Sequence, residues 1–264
     1  MATLRKAWAF FKRDLLIDLS YKLSFAFQAL DLLIAVAAFF FLARIIGRAP
    51  FRSYEPFAFI LVGMAVNGYM TTALACFSQA VHGNQPIGTL KAVLATRTSP
   101  LSFMLLSSTY PFARAAFDAA LYLAGGAMFG VSLARANVPG ALLLFLLSVL
   151  VFGSIGVLSA TFTLVFKRGD PFLWLFGGLS WLLGGVYYPV EVLPRFLYYA
   201  AQLLPITHAL NGMRAAILLG AGNRELLPHI GVLAGFALIG VPASLLAFHC
   251  GLRRAMKMGT LSHY

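Results

Sequence analysis

Long apolar runs separated by short polar segments dominate the chain. Six of these runs lie near the roughly 20 residues that a helix needs to cross a bilayer. They span about 23–43, 57–80, 101–133, 140–166, 172–188 and 229–252. The third is long enough to tilt, or to kink at Pro111. The pattern predicts an all-α integral membrane protein with six transmembrane helices and both termini on one side.

The first 22 residues are patterned differently from these runs. Apolar side chains recur at steps of three and four, at Leu4, Trp8, Phe11, Leu15 and Leu19. Charged residues, including Asp14 and Asp18, fill much of the remainder, so we expect these two carboxylates on a solvated face. Such a pattern is typical of a helix that lies at the membrane surface. We therefore divide the chain into an interfacial helix, 1–22, and a transmembrane domain, 23–264.

Composition agrees with a membrane protein and argues against a nucleic-acid binder. Hydrophobic residues make up 61% and charged residues 11% of the 264 positions, against roughly 45–50% and 25% in soluble domains. The net charge of +12 comes from Lys and Arg spread in small groups between apolar runs. Placing the N-terminus inside puts more of them on the inner side, so we predict that both termini are cytoplasmic.

Two connections between the predicted spans are more than simple loops. The inner one, 81–100, has helix-start residues, an apolar face and a stop at Pro100, which predicts a short cytoplasmic helix at about 84–98. The outer one is long and apolar, and it favours two short helices, Leu193–Leu204 and Thr207–Leu219. We expect these to re-enter the outer leaflet, covered by protein. We call the segment of about 189–222 the outer hairpin.

Charged residues inside the predicted spans are candidates for function. Asp31 either contacts a substrate or gate, or pairs with a basic side chain from a neighbouring helix. Arg114 and Asp118 are four residues apart, so they face each other on one helix and form an ion pair that lowers the cost of burying both.

Two aromatic groups lie near the outer ends of predicted spans. Phe39 and Phe40 belong to the first span, and Tyr187 and Tyr188 to the fifth. Aromatic faces bind apolar and sugar surfaces alike. The two groups therefore either line a translocation path or belong to the aromatic belt at the membrane surface.

The chain lacks the motifs of an ATPase or a metal site. No lysine follows a glycine, so the phosphate-binding sequence G-x-x-x-x-G-K-[ST] is absent, and Cys and His show no metal-ligand spacing. Ser154 with His208 or His249 suggests an intramembrane enzyme. A small residue that permits close helix packing explains Ser154 better.

Two segments carry a family resemblance. Gly185–Pro194 reads GVYYPVEVLP; Leu204–Leu210 reads LPITHAL, and Arg214 and Gly220 follow. This order resembles the C-terminal signature of ABC-2 type permeases, approximately G-x-x-(F/Y)-P-x-x-x-L-P, then P-(L/T)-(T/S)-(H/Y), an Arg and a closing Gly. Further upstream, GTL at 88–90 and SP at 99–100 also resemble the family's inner segment.

The resemblance implies the permease subunit of an ATP-driven exporter, without an ATPase site or cofactor of its own. ATP and Mg would bind two separate cytoplasmic ATPase subunits, and a second permease copy would complete a homodimer in the bacterial inner membrane. The substrate would be amphipathic or lipid-linked; the alternative within the family is a lipid-linked polysaccharide channel of the O-antigen or capsule type. A membrane enzyme and a passive scaffold stay as further alternatives, and no nucleic acid is implied.

The resemblance also implies roles for the matching residues. The inner segment would be a coupling helix that contacts the ATPase, through Pro86, Gly88, Thr89, Leu90, Lys91 and Leu94. The outer hairpin would form a gate over the pathway, held by the signature residues Pro189, Leu193, Pro194, Pro205, Thr207, His208 and Arg214. Prolines would fix its turns, because their φ is rigid and they have no N–H to satisfy.

Overall fold

A computed structural model describes residues 2–47, 51, 54–82, 100–166 and 171–257. These residues are almost entirely helical, and no strand occurs among them. The α-helices among these residues are α1 (Ala2–Ser20), α2 (Lys22–Ile46), α3 (Pro56–His82), α4 (Pro100–Ser107), α5 (Thr109–Met128), α6 (Val138–Phe166), α7 (Pro171–Leu183), α8 (Arg195–Gln202), α9 (Pro205–Arg214) and α10 (Asn223–Lys257). The prediction of an all-α protein is confirmed.

Four of the described helices are long and apolar enough to cross a bilayer. They are α2, α3, α6 and α10. Helix α5 has 20 residues but carries Arg114 and Asp118, and α7 has only 13 residues. The third and fifth of the six predicted spans therefore stay a prediction.

The third predicted span differs in shape from the expectation. The structure breaks it at Ser108 into α4 and α5, and it ends at Met128 rather than near residue 133. Pro111 follows the break at Ser108 within one turn. It is the third residue of α5, a position where its missing N–H has no intrahelical acceptor to lose.

Helix α1 occupies most of the segment predicted to be interfacial, 1–22, and its place at the membrane surface stays a prediction. Helix α1 stops at Ser20, and α2 begins two residues later. Helix α1 packs on α4 and α5 through two edge-to-face ring pairs, Phe10 with Phe103 and Phe11 with Tyr110, each with centroids 5.7 Å apart. Its apolar face therefore meets the bundle as well as the predicted membrane surface.

Helices α3, α6 and α10 form the centre of the fold, with α6 packed between the other two. Small residues permit the close approach. A Cβ on Gly156 of α6 would lie 2.3 Å from the Ala73 carbonyl oxygen of α3, and one on Gly240 of α10 would lie 2.7 Å from Ser154 Oγ. The outer hairpin covers one end of this centre, because Leu210 and Ile206 of α9 belong to the same buried cluster.

The outer hairpin folds into two short helices, close to the predicted bounds. Helix α8 is followed by α9, and a π-helical turn, Ala215–Leu219, continues α9. A 3-10 turn, Val190–Val192, precedes α8. Re-entry of this hairpin into the membrane stays a prediction.

Candidate functional site

Arg114 lies at the centre of a cluster that joins three helices. Its Nη1 lies 2.7 Å from Asp18 Oδ2 of α1, and its Nε lies 3.0 Å from Asp118 Oδ1 one turn along α5. Nη2 donates to Gln28 Oε1 of α2 at 2.9 Å. The Tyr110 hydroxyl donates to the same Asp18 carboxylate. We call these five residues the ionic cluster.

The position of Asp18 corrects the sequence prediction. We expected it on a solvated face of α1, but its carboxylate binds Arg114 and Tyr110 instead. Asp14, one turn earlier, contacts its neighbour Arg13 at 2.7 Å. The reason is the docking of α1 on α5, which turns the last turn of α1 towards the one arginine on that helix.

A polar cavity of about 270 Å³ adjoins the ionic cluster, between α2, α3 and α5. Arg114 and Asp118 line it, and so does Asp31 of α2. The sequence left Asp31 as either a substrate contact or a paired carboxylate. Among the described residues it forms no ion pair, and it lines the same cavity as Arg114.

The two aromatic groups that the sequence singled out meet in space. The ring of Phe39 stacks on that of Tyr187, with centroids 5.4 Å apart. Phe40 packs edge-to-face on Phe57 at 5.2 Å. The Tyr188 hydroxyl donates to the Leu182 carbonyl at the end of α7. The Phe39–Tyr187 contact ties the turn before the outer hairpin to α2, and the Phe40–Phe57 contact ties α2 to α3.

Signature residues form the corner between α8 and α9. Pro205 is the first residue of α9, where its fixed φ suits a helix start. The Thr207 hydroxyl donates to the Ala201 carbonyl at 2.7 Å, and His208 Nε2 donates to the Gln202 carbonyl at 2.8 Å. Both bonds satisfy carbonyls at the end of α8, which have no partner within that helix.

The two remaining prolines and Leu193 shape the entry to α8. Pro189 and Pro194 are both extended and precede the 3-10 turn and α8, respectively. Leu193 packs with the buried Val190 and Ala201. The proline pair therefore sets the direction in which the chain enters the hairpin.

Arg214 is the largest fully buried side chain of this region, with 1% of its surface exposed. Its guanidinium donates to three backbone carbonyls: Phe59 at 3.1 Å, and Gly185 and Val186 at 2.8 Å each. It also lies over the Phe59 ring, 3.4 Å from the centroid. We call this arrangement the arginine clamp. It joins α9, the start of α3 and the turn after α7.

The residues around the arginine clamp are closely packed against it. A Cβ on Gly63 would lie 2.0 Å from the Val186 carbonyl oxygen and 2.7 Å from Arg214 Nη2, so only glycine fits there. Tyr54 lies in the loop before α3. Burial raises its pKa above the ordinary value, and the charge of Arg214 opposes this shift.

Sequence reasoning missed Asn137, which joins the outer hairpin to α6. Its Nδ2 donates to the Ala221 carbonyl at 2.7 Å, and its Oδ1 accepts from the Gly140 N–H at 3.0 Å as an N-cap. Gly220 adopts a φ of +66° beside it, with no room for a Cβ against the Arg135 carbonyl. The sequence does carry a signal for this N-cap, because an asparagine stands directly before an apolar helix that has a proline in its first turn.

Some predicted residues are not placed. The coupling residues Pro86, Gly88, Thr89, Leu90, Lys91 and Leu94 lie outside the described residues. Ser154 donates to the Val151 carbonyl of its own helix at 2.7 Å, and no histidine among the described residues bonds to it. Within the same part of the chain, no group of His, Cys, Asp or Glu is arranged to hold a metal ion.

Comparison with protein families gives one result. A family model, ABC-2 type transporter, matches residues 5–218, which include most of α1, all of α2 to α9 and the arginine clamp. No curated protein matches the chain. The described apolar helices and this match make the chain a multi-pass membrane protein, the transmembrane subunit that works with ABC ATPase subunits. The chain therefore belongs to the ABC-2 type transporter family.

Proposed function

We propose that this permease exports an amphipathic or lipid-linked substrate from the cytoplasm or the inner leaflet, powered by two separate ATPase subunits. Two copies of the chain form a homodimer in the bacterial inner membrane, with both termini cytoplasmic. The Lys and Arg bias of the predicted inner segments supports this orientation. ATP and Mg bind the partner ATPases.

The observation that carries the proposal is the ionic cluster. Its Asp18–Arg114 contact links the interfacial helix α1 to a polar cavity between three bundle helices. A polar cavity is costly among apolar helices and is typical of a substrate pathway. A displacement of α1 would act on the cavity wall directly. A passive scaffold needs no such link.

The coupling segment of about 84–98 would supply that displacement. It joins α3 to α4, and α4 packs against α1 through Phe103 and Phe10. A push from the ATPase on Gly88 or Leu90 would therefore reach α1 and α4 together. The outer hairpin, held by the arginine clamp, would act as the gate at the other end.

Co-purification in mild detergent tests the partnership. We expect a complex with two copies of the permease and two of an ABC ATPase by native mass spectrometry. The permease should also change the rate of ATP hydrolysis relative to the isolated ATPase. A monomer that neither binds an ATPase nor responds to nucleotide would overturn the proposal.

A variant in the coupling segment tests the mechanism. Gly88→Glu should leave the protein folded and abolish the permease-dependent change in ATP hydrolysis, because a bulky charge disturbs the contact with the ATPase. Gly222→Glu is the matched control, since Gly222 is exposed with open space around it near the start of α10. Equal coupling in the two variants would remove Gly88 from the site.

Inverted membrane vesicles test the direction of transport. With ATP outside, an exporter accumulates a fluorescent amphiphile inside the vesicle, and the ATPase inhibitor vanadate prevents this. ATP-driven loss of preloaded probe instead would show import and contradict the proposal.

A further inference from the structure

Two cavities of opposite character share one wall residue. The polar cavity of about 270 Å³ lies between α2, α3 and α5. An apolar cavity of about 510 Å³ lies between α3, α5, α6 and α10, within the size range of ligand pockets. Tyr69 of α3 lines both. A ligand that passes Tyr69 would therefore have one polar and one apolar end.

The polar cavity carries an excess of negative charge. Two of the chain's 8 acidic residues, Asp31 and Asp118, line it, and a third, Asp18, binds the lining residue Arg114, although the net charge of the chain is +12. Asp18 and Asp118 both bind Arg114, whose one positive charge cannot neutralise two carboxylates. Asp31 has no ion pair or hydrogen bond with any described residue and lines the same cavity. The surplus favours a cationic ligand group.

The apolar cavity offers almost no hydrogen bonds. Rings and aliphatic chains form most of its wall, including Phe77, Phe112, Phe145, Val149, Val157 and Leu245. Its serine hydroxyls already donate to backbone carbonyls three residues earlier: Ser108 to Leu105, Ser154 to Val151 and Ser244 to Val241. An alkyl chain fits such a wall, and a polar group does not.

Tyr69 provides a second, independent sign of a ligand. Only 3% of its surface is exposed, and its ring packs on Phe145 at 4.5 Å and on Phe112 at 5.8 Å. Its hydroxyl forms no hydrogen bond with a described residue. Because Tyr69 lines both cavities, this hydroxyl is available to a ligand that occupies them. A ligand's polar head would satisfy it.

We propose that the two cavities together bind the transported amphiphile within a single subunit: a single-chain molecule with a protonated amine. The amine binds Asp31 in the polar cavity, the Tyr69 hydroxyl contacts the head, and the alkyl chain fills the apolar cavity. A metal ion does not account for the site, because it has no apolar part that could fill the apolar cavity. This inference rests on the proposed function and names its substrate class.

Photocrosslinking tests the site without the ATPase. The purified chain in phosphatidylcholine nanodiscs is labelled with hexadecylamine that carries a diazirine in its chain, and with hexadecanoic acid that carries the same group. We expect the amine to label peptides of α3, α5 and α6 around Tyr69, and the acid to label them at least tenfold less. Equal labelling, or stronger labelling by the acid, would overturn the proposal.

Three variants sharpen the test. Asp31→Asn should lower amine labelling about tenfold, since a hydrogen bond to a charged group is lost. Tyr69→Phe, which keeps the ring, should lower it about threefold. Glu225→Gln removes the same charge at an exposed position and should leave labelling unchanged. If Asp31→Asn and Glu225→Gln label alike, the amine site is wrong.

Labelling in nanodiscs with and without phosphatidylethanolamine distinguishes a transported molecule from a bound bilayer lipid. Phosphatidylethanolamine in the nanodisc also presents amines; if it suppresses labelling, the site holds a structural lipid and the cargo assignment is overturned. Because labelling needs no ATPase, a positive result would stand even if no ATPase partner were found. An ATPase partner without amine labelling would leave the proposed function intact and overturn this inference alone.

Discussion

Two arginines, the fully buried Arg214 and the partly buried Arg114, serve this molecule in opposite ways. Arg214 in the arginine clamp gives its hydrogen bonds to three backbone carbonyls of fixed elements. Arg114 in the ionic cluster gives its bonds to side chains on three separate helices and borders a cavity. Backbone acceptors cannot rearrange, whereas carboxylates on a docked helix can. We infer that the clamp stabilises the fold and the cluster transmits movement.

Removing the clamp should have the largest effect on stability. Arg214→Leu leaves three buried carbonyls without their donor, and we expect a loss of about 3–5 kcal/mol in the free energy of unfolding. Arg195→Leu is the matched control, because Arg195 is exposed at the start of α8. Thermal unfolding in detergent measures both. A melting temperature for Arg214→Leu within 2 °C of the control, where about 6 °C or more is expected, would show that the clamp is dispensable.

Crowding the clamp should have the next largest effect. Gly63→Ala places a methyl group on the Val186 carbonyl and the guanidinium, and we expect it to cost about 2–3 kcal/mol. Gly68→Ala lies in the same helix with open space around it, so it should be neutral or stabilise the helix by up to about 1 kcal/mol. Thermal unfolding of the two variants in detergent measures the difference. Equal melting temperatures would contradict the close contact between Gly63 and the arginine clamp.

Removing the ionic cluster should cost less stability than either change to the clamp. In Arg114→Gln we expect a loss of about 1–2 kcal/mol, because the side chains of Asp18 and Asp118 are 29% and 37% exposed and water takes over part of the interaction. The measurement is the same thermal unfolding. A loss as large as that of Arg214→Leu would erase the distinction between the two sites.

The smallest effect should come from the link between α6 and the outer hairpin. Asn137→Ala removes the N-cap of α6 and the bond to the Ala221 carbonyl, and we expect it to lower the free energy of unfolding by about 1 kcal/mol. Asn223→Ala removes only the 3.2 Å contact with Asn137 Nδ2 and should cost less. The reverse order of melting temperatures would refute the capping role.

Much of the fold could be predicted from the sequence, because apolar length and helix signals are local. The end of the interfacial helix, the two hairpin helices and the Arg114–Asp118 contact all follow from spacing within one segment. The break at Ser108 could not be predicted, because nothing local distinguishes a kink at Pro111 from a new helix start there.

The composition of the two sites could be predicted only in part. The sequence singled out Arg214 and Arg114, because a signature and a charge inside an apolar run mark them. Their partners come from distant segments: Phe59 and Gly185 for one, Asp18 and Gln28 for the other. Tertiary packing sets these pairings, and a single sequence does not encode them in any local pattern.

Asp18→Asn tests most directly whether the cluster couples α1 to the bundle, when ATP hydrolysis is measured on the assembled permease–ATPase complex. The substitution weakens the link to Arg114 but keeps the shape of the side chain. We predict a melting temperature within about 4 °C of wild type, as expected for a loss near 1 kcal/mol, and at least a tenfold reduction in the permease-dependent change in ATP hydrolysis. Coupling equal to wild type in a folded, assembled complex would contradict the account.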